Sequence, residues 1–213
     1  ILYNGAIVME PWNGNKLYNS HFTGTVRADI RRILHEYDVW PLVYSFLGNK
    51  ERVSWLRGRE TEGMKRYLSR RAGDPRLNPV DSPDELKDDE IFYYTYIDAK
   101  ERTDVLHAVF EKDARFRCIY QQETYQSDYW LEIMPAGTSK GAAATVLKER
   151  LGAEKLVAFG DALNDRELFR AADEAYAVEN ADEELKKAAT AVIGYSEEDS
   201  VSKFIRDNLE KYH

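Results

Sequence analysis

Three polar side chains follow an apolar run in the second half of the chain. Asp161, Asn164 and Asp165 come directly after residues 156–159, with Gly160 between. The pattern predicts that a strand ends here and a helix begins. Mg²⁺ takes hard oxygen ligands, usually one or two carboxylates, and keeps its other positions for water and phosphate oxygens. A turn residue or a helix N-cap would explain one of the three side chains, but hardly all of them.

A lysine begins the helix that is predicted before this strand. Lys140 is the first residue of the predicted helix 140–151. A cation is locally unfavourable there because the helix dipole favours negative charge at the N-terminus. The position makes sense if an anion binds nearby, since helix N-termini bind phosphate readily. The alternative is an exposed lysine without a role, and the spacing alone leaves both interpretations open. A P-loop is excluded because Gly-x4-Gly-Lys-Ser/Thr is absent.

Strands and helices alternate throughout the second half of the chain. The predicted strands are 129–134, 156–159, 175–178 and 191–193, and the predicted helices are 140–151, 165–172, 182–189 and 201–209. This rhythm predicts a parallel sheet with helices on its faces. Ligands bind beyond the carboxyl ends of the strands in such sheets, so Lys140 and Asp161 are expected to lie together at that edge.

The first half of the chain has a mixed pattern. One predicted helix starts at residue 23 and others cover 62–69 and 103–112, while predicted strands cover 41–47, 52–55, 90–97, 116–120 and 123–125. The Pro-rich stretch 74–84 is predicted to be a loop. Residues 21–127 are therefore expected to form a separate α+β domain with a largely antiparallel sheet. Residues 1–20 and 128–213 are expected to form the other domain.

The composition indicates an ordinary globular protein. Hydrophobic residues make up 43% of the 213 residues and charged residues 32%, and the net charge is −8. Lys and Arg are spread along the chain, which argues against nucleic-acid and acidic-membrane surfaces as partners. No apolar run approaches the roughly 18 residues of a membrane span, and no signal-peptide pattern occurs at the start. A cytoplasmic location is therefore expected. Cys118 is the only cysteine, which excludes an intrachain disulfide.

Three stretches resemble the haloacid dehalogenase superfamily, in particular its Cof-type branch of sugar-phosphate phosphatases. They read EIMPAGTSKGAA, LVAFGDALNDRELFRAA and AYAVENADEELKKAA. The opening Asn4-Gly5-Ala6 is similar to the turn that precedes the cap domain in this branch. The resemblance implies an α/β fold, with a Rossmann-like core built on a parallel sheet. It also implies that residues 21–127 are an inserted α/β cap that sets substrate specificity.

The same resemblance implies roles for individual residues. Lys140 and Asp165 are the implied catalytic residues, with Lys140 contacting the phosphoryl oxygens and Asp165 orienting Lys140 or a metal-bound water. Asp161 is the implied direct ligand of Mg²⁺, the implied cofactor. Asn164 and Asn4, together with Lys140, form the implied phosphate-binding set. The implied substrate is a small phosphorylated metabolite such as a sugar phosphate.

One motif of the family is absent from the sequence. Its nucleophile lies in Asp-x-Asp-Gly-Thr, upstream of Asn-Gly-Ala, and no Asp-x-Asp occurs in the 213 residues, which begin with Ile1. The expectation is a core sheet that is incomplete at its N-terminal side, a chain that is inactive alone, and association through the open sheet edge. The alternative is a naturally truncated, catalytically dead binding or regulatory module that keeps the cap.

Overall fold

The computed structural model describes residues 1–123 and 127–212. Its strands are β1 (Ile7–Met9), β2 (Lys16–Asn19), β3 (Leu42–Leu47), β4 (Lys50–Leu56), β5 (Leu77–Val80), β6 (Glu90–Asp98), β7 (Phe116–Gln122), β8 (Tyr129–Pro135), β9 (Val157–Gly160), β10 (Glu174–Ala177) and β11 (Ala191–Val192). Its α-helices are α1 (Gly24–Glu36), α2 (Glu62–Ser69), α3 (Lys100–Phe110), α4 (Lys140–Leu151), α5 (Arg166–Ala171), α6 (Glu183–Ala188) and α7 (Ser200–Asp207). Of the strand predicted at 123–125, residues 124 and 125 lie outside the described residues. None of the described helices combines the length and apolarity that a membrane crossing requires.

The chain divides into two compact units. The first unit contains Ile1–Met9 and Ser139–His213, and the second contains Glu10–Thr138. Both boundaries differ from those predicted, because residues 10–20 and 128–138 group with the second unit.

A parallel sheet of three strands forms the first unit, in the order β11-β10-β9. β10 lies in the middle, and its register with β9 runs from Glu174↔Val157 to Ala177↔Gly160. The predicted alternation of strands and helices is confirmed here, since each strand is followed by a helix that returns the chain to the same sheet direction. Within the described residues, β9 is an edge strand. The core of this unit is built mainly from small and aliphatic residues: Ala158, Phe169, Ala175, Ala177, Val178, Ala181 and Leu185.

The second unit is built on a six-stranded sheet in the order β5-β4-β3-β6-β8-β7. All neighbours are antiparallel except β4 and β5, which confirms the prediction of a largely antiparallel sheet. β6 is central, and its residues 91–97 are all buried. Burial on both faces explains why this strand reads as a continuous aromatic and aliphatic run without alternation.

Two predictions about strands are wrong. The run 129–134 forms a strand, but β8 pairs antiparallel with β6 and β7 instead of joining the parallel sheet of the first unit. Its apolar content predicts a buried strand and carries no information about which neighbours bury it. The stretch 74–84, expected to be a loop, contains β5, which pairs parallel with β4 from Val53↔Leu77 to Leu56↔Val80. Pro79 is tolerated there because β5 is an edge strand.

Candidate active site

Lys140 lies in the first turn of helix α4, where the sequence places it. The helix begins at this residue because Ser139 caps it, with the Ser139 Oγ accepting the N–H of Ala142 at 3.0 Å. The helix ends at Gly152, which adopts the left-handed conformation with φ 61°. Backbone N–H groups of a first helical turn have no acceptor inside the helix. The start of α4 thus carries the Lys140 ammonium together with backbone N–H groups that have no acceptor inside the helix.

Asp165 forms an ion pair with Lys140. The Lys140 Nζ donates to the Asp165 Oδ1 at 2.5 Å. Asp165 is only 5% exposed, whereas the Lys140 side chain is 30% exposed. A buried carboxylate is costly unless it is paired and hydrogen-bonded, so the lysine compensates a charge that water cannot reach. The structure therefore brings the two predicted catalytic residues into direct contact.

The second oxygen of Asp165 shapes the loop after β9. The Asp165 Oδ2 accepts the backbone N–H groups of Asp161 at 3.2 Å and of Ala162 at 3.4 Å. These contacts fold the loop into a short 3-10 turn, Leu163–Asp165, which leads directly into α5. One carboxylate thus orients the lysine with one oxygen and fixes the backbone beside Asp161 with the other.

Two glycines permit this close packing. A Cβ on Gly160 would lie 2.8 Å from the Cβ of Asp165 and 2.8 Å from the ring of Phe169. A Cβ on Gly141 would lie 2.3 Å from the carbonyl oxygen of Glu167. Gly160 therefore lets Asp165 fold back over the end of β9, and Gly141 lets α4 approach α5. The motifs contain both glycines, but the sequence alone does not reveal these contacts.

The turn that contains Asn4 packs against the start of α4. Tyr3, Asn4 and Gly5 all have positive φ angles, of 51°, 53° and 97°. A Cβ on Gly5 would lie 2.0 Å from the carbonyl oxygen of Ser139, so the two backbones are in contact at this point. Asn4 is half-buried within this turn. The structure thus brings the Asn4 turn to the same helix end that carries Lys140.

Asp161 and Asn164 are exposed, in contrast to Asp165. The Asp161 carbonyl accepts the N–H of Asp182 at 2.8 Å, which ties the loop to the start of α6. Its carboxylate makes no ion pair or side-chain hydrogen bond within residues 1–123 and 127–212. Asn164 lies in the same 3-10 turn as Asp165. Both side chains are therefore available to a ligand.

The residues of this loop fit Mg²⁺ in the chemistry of their donors. Asp161 offers an exposed carboxylate and Asn164 an amide oxygen, which are hard ligands of the kind that Mg²⁺ takes. Asp165 is already engaged by Lys140. In the described part of the chain no three His, Cys, Asp or Glu residues cluster as metal ligands would. Asp161 would therefore hold the ion as its single carboxylate ligand from these residues, with water and phosphate oxygens filling other positions.

Removal of the Lys140 ammonium tests the importance of the ion pair for stability. We expect Lys140→Met to lower the free energy of unfolding by about 1–2 kcal/mol, because it leaves the Asp165 carboxylate buried without a cation. Relief of the unfavourable helix-dipole interaction, about 0.3–1 kcal/mol, offsets part of the loss. Urea unfolding followed by far-UV circular dichroism measures the change.

Lys148→Met is the matched control for this variant. Lys148 lies in the last turn of the same helix and donates to the Asp173 Oδ2 at 2.7 Å. The Lys148 hydrogen bond, the Leu156 N–H and nearby lysine charges hold the pKa of Asp173 below its usual range, but this carboxylate is exposed. The free energy of unfolding should therefore fall clearly less in Lys148→Met than in Lys140→Met. Equal losses in the two variants would contradict the importance of burial at Asp165.

Comparison with known proteins connects this arrangement to a family. The family model described as haloacid dehalogenase-like hydrolase matches residues 1–205. The HMP-PP phosphatase of Escherichia fergusonii is 37% identical over 87 residues, which are 39% of this chain and 32% of that protein. The matched segment is thus about a third of that curated relative.

Solved structures resemble nearly the whole chain. TM0651 from Thermotoga maritima matches with a TM-score of 0.72 at 26% identity, covering 96% of this chain and 73% of that protein. A haloacid dehalogenase-like hydrolase from Bacteroides thetaiotaomicron matches with a TM-score of 0.69 at 19% identity, covering 96% and 74% of the two chains. The second match concerns the fold alone.

Proposed function

The chain belongs to the haloacid dehalogenase-like hydrolase family, and from this premise we propose that its residues form part of a Mg²⁺-dependent phosphatase site for small phosphorylated metabolites. The observation that carries the proposal is the ion pair between Lys140 and the buried Asp165 at the start of α4. It places a fixed cation in the first turn of a helix, beside a loop with an exposed carboxylate. This combination suits a phosphoryl group, whose oxygens spread negative charge over several directions.

Each residue of the site has a proposed task. Lys140 contacts phosphoryl oxygens, and Asp165 acts as a positioning residue because it holds the ammonium and is itself buried. Asn164 and Asn4 donate hydrogen bonds at the edge of the phosphate. Asp161 would hold Mg²⁺, which when bound neutralises phosphoryl charge.

We propose the second unit, Glu10–Thr138, as the cap that sets substrate specificity. Its insertion between Met9 and Ser139 in the sequence supports this role, because the first unit is assembled from both sides of it. The relative named HMP-PP phosphatase supports a phosphorylated small molecule as the substrate class. The match covers about a third of that protein, so we propose the class and no particular substrate.

A second candidate is a binding or regulatory module without catalysis. The observation that favours it is the absence of Asp-x-Asp from the 213 residues, which leaves them without the family's nucleophile. Loss of one group from a catalytic unit usually costs nearly as much as loss of the whole unit. We therefore expect these 213 residues on their own to show no turnover.

An activity assay distinguishes the two candidates. The assay follows hydrolysis of p-nitrophenyl phosphate and of a panel of sugar phosphates with Mg²⁺, for the 213 residues and for the protein encoded by the complete reading frame. The phosphatase proposal expects turnover by the latter that is lost with EDTA and returns with Mg²⁺. It also expects Asp161→Asn to raise the Mg²⁺ concentration needed for half-maximal rate at least tenfold. Asp207 is an exposed acid in α7, and Asp207→Asn should leave that concentration unchanged. A complete protein without turnover on every substrate would favour the binding module.

A further inference from the structure

A cavity of about 460 Å³ lies beside helix α1 in the second unit. One wall is α1, and the others are β3, the ends of β4 and β5, the start of β6 and the turn Pro83–Leu86. We call it the α1 cavity. Its volume falls within the range of roughly 300–1,000 Å³ that small-molecule sites occupy. None of its lining residues is among those proposed for phosphate chemistry.

The α1 cavity is largely apolar. Val43, Val80 and Tyr94 contribute to its lining, together with Trp40 and Trp55. Both indole N–H groups are already used, since the Trp40 Nε1 donates to Asp38 at 3.0 Å and the Trp55 Nε1 donates to Glu60 at 2.8 Å. The two rings therefore add apolar and aromatic surface to the walls. Such walls favour a flat apolar body, and aromatic rings gain additional energy from offset or edge contacts.

Two cations at the α1 cavity have no carboxylate partner. Arg27 is half-buried, and its guanidinium donates to the carbonyl oxygens of Asp89 at 2.8 Å and Leu86 at 2.7 Å. No carboxylate pairs with Arg27 in the described ranges 1–123 and 127–212. Lys87 is exposed, and it likewise forms no ion pair among those residues.

Two of the nearby acids are engaged by other side chains. Asp84 pairs with Arg31 at 2.7 Å, so these two charges cancel at the rim. The carboxylate of Asp89 accepts the hydroxyl of Ser45 at 2.6 Å and pairs with Arg52 at 3.5 Å. Among the described residues, the lining of the α1 cavity therefore combines apolar walls with Arg27, Arg31 and Lys87 and contains no Asp or Glu. A half-buried guanidinium that is held by carbonyls retains N–H donors for an anion.

We propose that the α1 cavity binds a small molecule with an aromatic body and one anionic group, whose acid contacts Arg27 and Lys87. The aromatic body fills the space between α1 and the sheet. The acid supplies the counter-ion that Arg27 and Lys87 lack. The site depends on the second unit alone, so it stands independently of the proposed phosphatase activity.

Fluorescence of 8-anilinonaphthalene-1-sulfonate, an aromatic anion, tests the site in the 213-residue chain. We expect saturable binding at one site per chain, with energy transfer from Trp40 and Trp55 because both line the cavity. Naphthalene-2-carboxylate should displace the dye at a concentration about tenfold lower than its neutral isostere, naphthalene-2-carboxamide, because a charge-assisted contact is lost with the amide. Equal displacement by the two compounds would overturn the role of the cations.

Three variants locate the site. Lys87→Glu should weaken dye binding about tenfold, because it places a negative charge beside the acid. Ala28→Trp, at an exposed position of α1 that lines the cavity, should abolish saturable binding by filling the space. Lys112→Glu, an equal charge change at an exposed residue outside the lining, should leave binding within twofold of the original. Near-UV circular dichroism verifies that each variant is folded.

Several outcomes would refute the proposal. Equal weakening of dye binding by Lys87→Glu and Lys112→Glu would indicate that the dye responds to the overall charge of the chain and not to this cavity. Dye binding that never saturates and persists in Ala28→Trp would indicate a partly unfolded chain, since such states bind this dye through exposed apolar surface. Absence of saturable binding in the unaltered chain would also overturn it.

Discussion

Lys140→Ala should lower kcat/KM for a phosphomonoester by about 10²–10³-fold in the protein encoded by the complete reading frame. Asp165 fixes the Lys140 ammonium before substrate binds. The ammonium can therefore stabilise negative charge on the phosphoryl group without reorganisation during the reaction. Removal of one preorganised donor of this kind costs about 10²–10³ in rate in other enzymes. Initial rates with p-nitrophenyl phosphate at saturating Mg²⁺ measure the loss. Lys148→Ala, in the same helix, should retain nearly full activity and serves as the control.

The double variant shows whether Asp165 acts through Lys140. Asp165→Asn keeps the shape of the side chain but removes the charge that holds the ammonium. We expect the double variant Lys140→Ala/Asp165→Asn to be little worse than Lys140→Ala alone, because groups that act as a unit are not additive. A fully multiplicative loss would show that Asp165 has a separate role. Activity of Lys140→Ala within fivefold of the original would contradict the proposed site itself.

Gly5→Ala should destabilise the first unit by about 2–5 kcal/mol. Two costs combine at this position. The φ angle of 97° is unfavourable for any residue with a Cβ, by about 1–2 kcal/mol. The added Cβ would also lie 2.0 Å from the Ser139 carbonyl oxygen, and overpacking against backbone costs a further 1–3 kcal/mol or so because neither chain segment can rotate away.

Gly152→Ala separates the two costs. Gly152 also has a positive φ, of 61°, but nothing lies within 4 Å of the position its Cβ would take. It should therefore lose only the conformational part, about 1 kcal/mol. Hydrogen exchange of the β9 and β10 amides measures both variants within the first unit. All four tryptophans lie between residues 10 and 138, so the urea midpoint of their fluorescence follows the second unit. Equal losses in the two variants would show that the contact between the Asn4 turn and Ser139 is unimportant.

The sequence predicts the elements that carry the chemistry because their signals are local. Helix α4 spans Lys140–Leu151 as predicted, since its cap, its first residue and the glycine that ends it all lie within the segment. The loop after β9 is similarly predicted from an apolar run followed by polar residues. The family resemblance also depends on contiguous motifs, and the match over residues 1–205 confirms it. The roles of all five predicted site residues, Lys140, Asp165, Asp161, Asn164 and Asn4, stay predictions.

Contacts between distant segments were decided by the tertiary structure. Lys140 and Asp165 are separated by 25 positions along the chain, and periodicity does not indicate that one is buried against the other. The contact of Gly5 with Ser139 spans most of the chain, and a glycine in a sequence does not reveal which atom would meet its Cβ. The α1 cavity likewise depends on residues from one helix, four strands and a turn.

The strand β8 shows most clearly why the sequence predicts an element but not the neighbours that it pairs with. Its apolar run predicts correctly that residues 129–134 form a buried strand, but the expected sheet is wrong. A pattern of apolar residues specifies how much of a strand must be buried, because that depends on each side chain's own free energy of transfer from water. The neighbours that bury it are chosen by complementary packing and backbone pairing with β6 and β7, which lie elsewhere in the sequence. The amount of burial was therefore encoded locally, whereas the choice of partner emerged only in the folded chain.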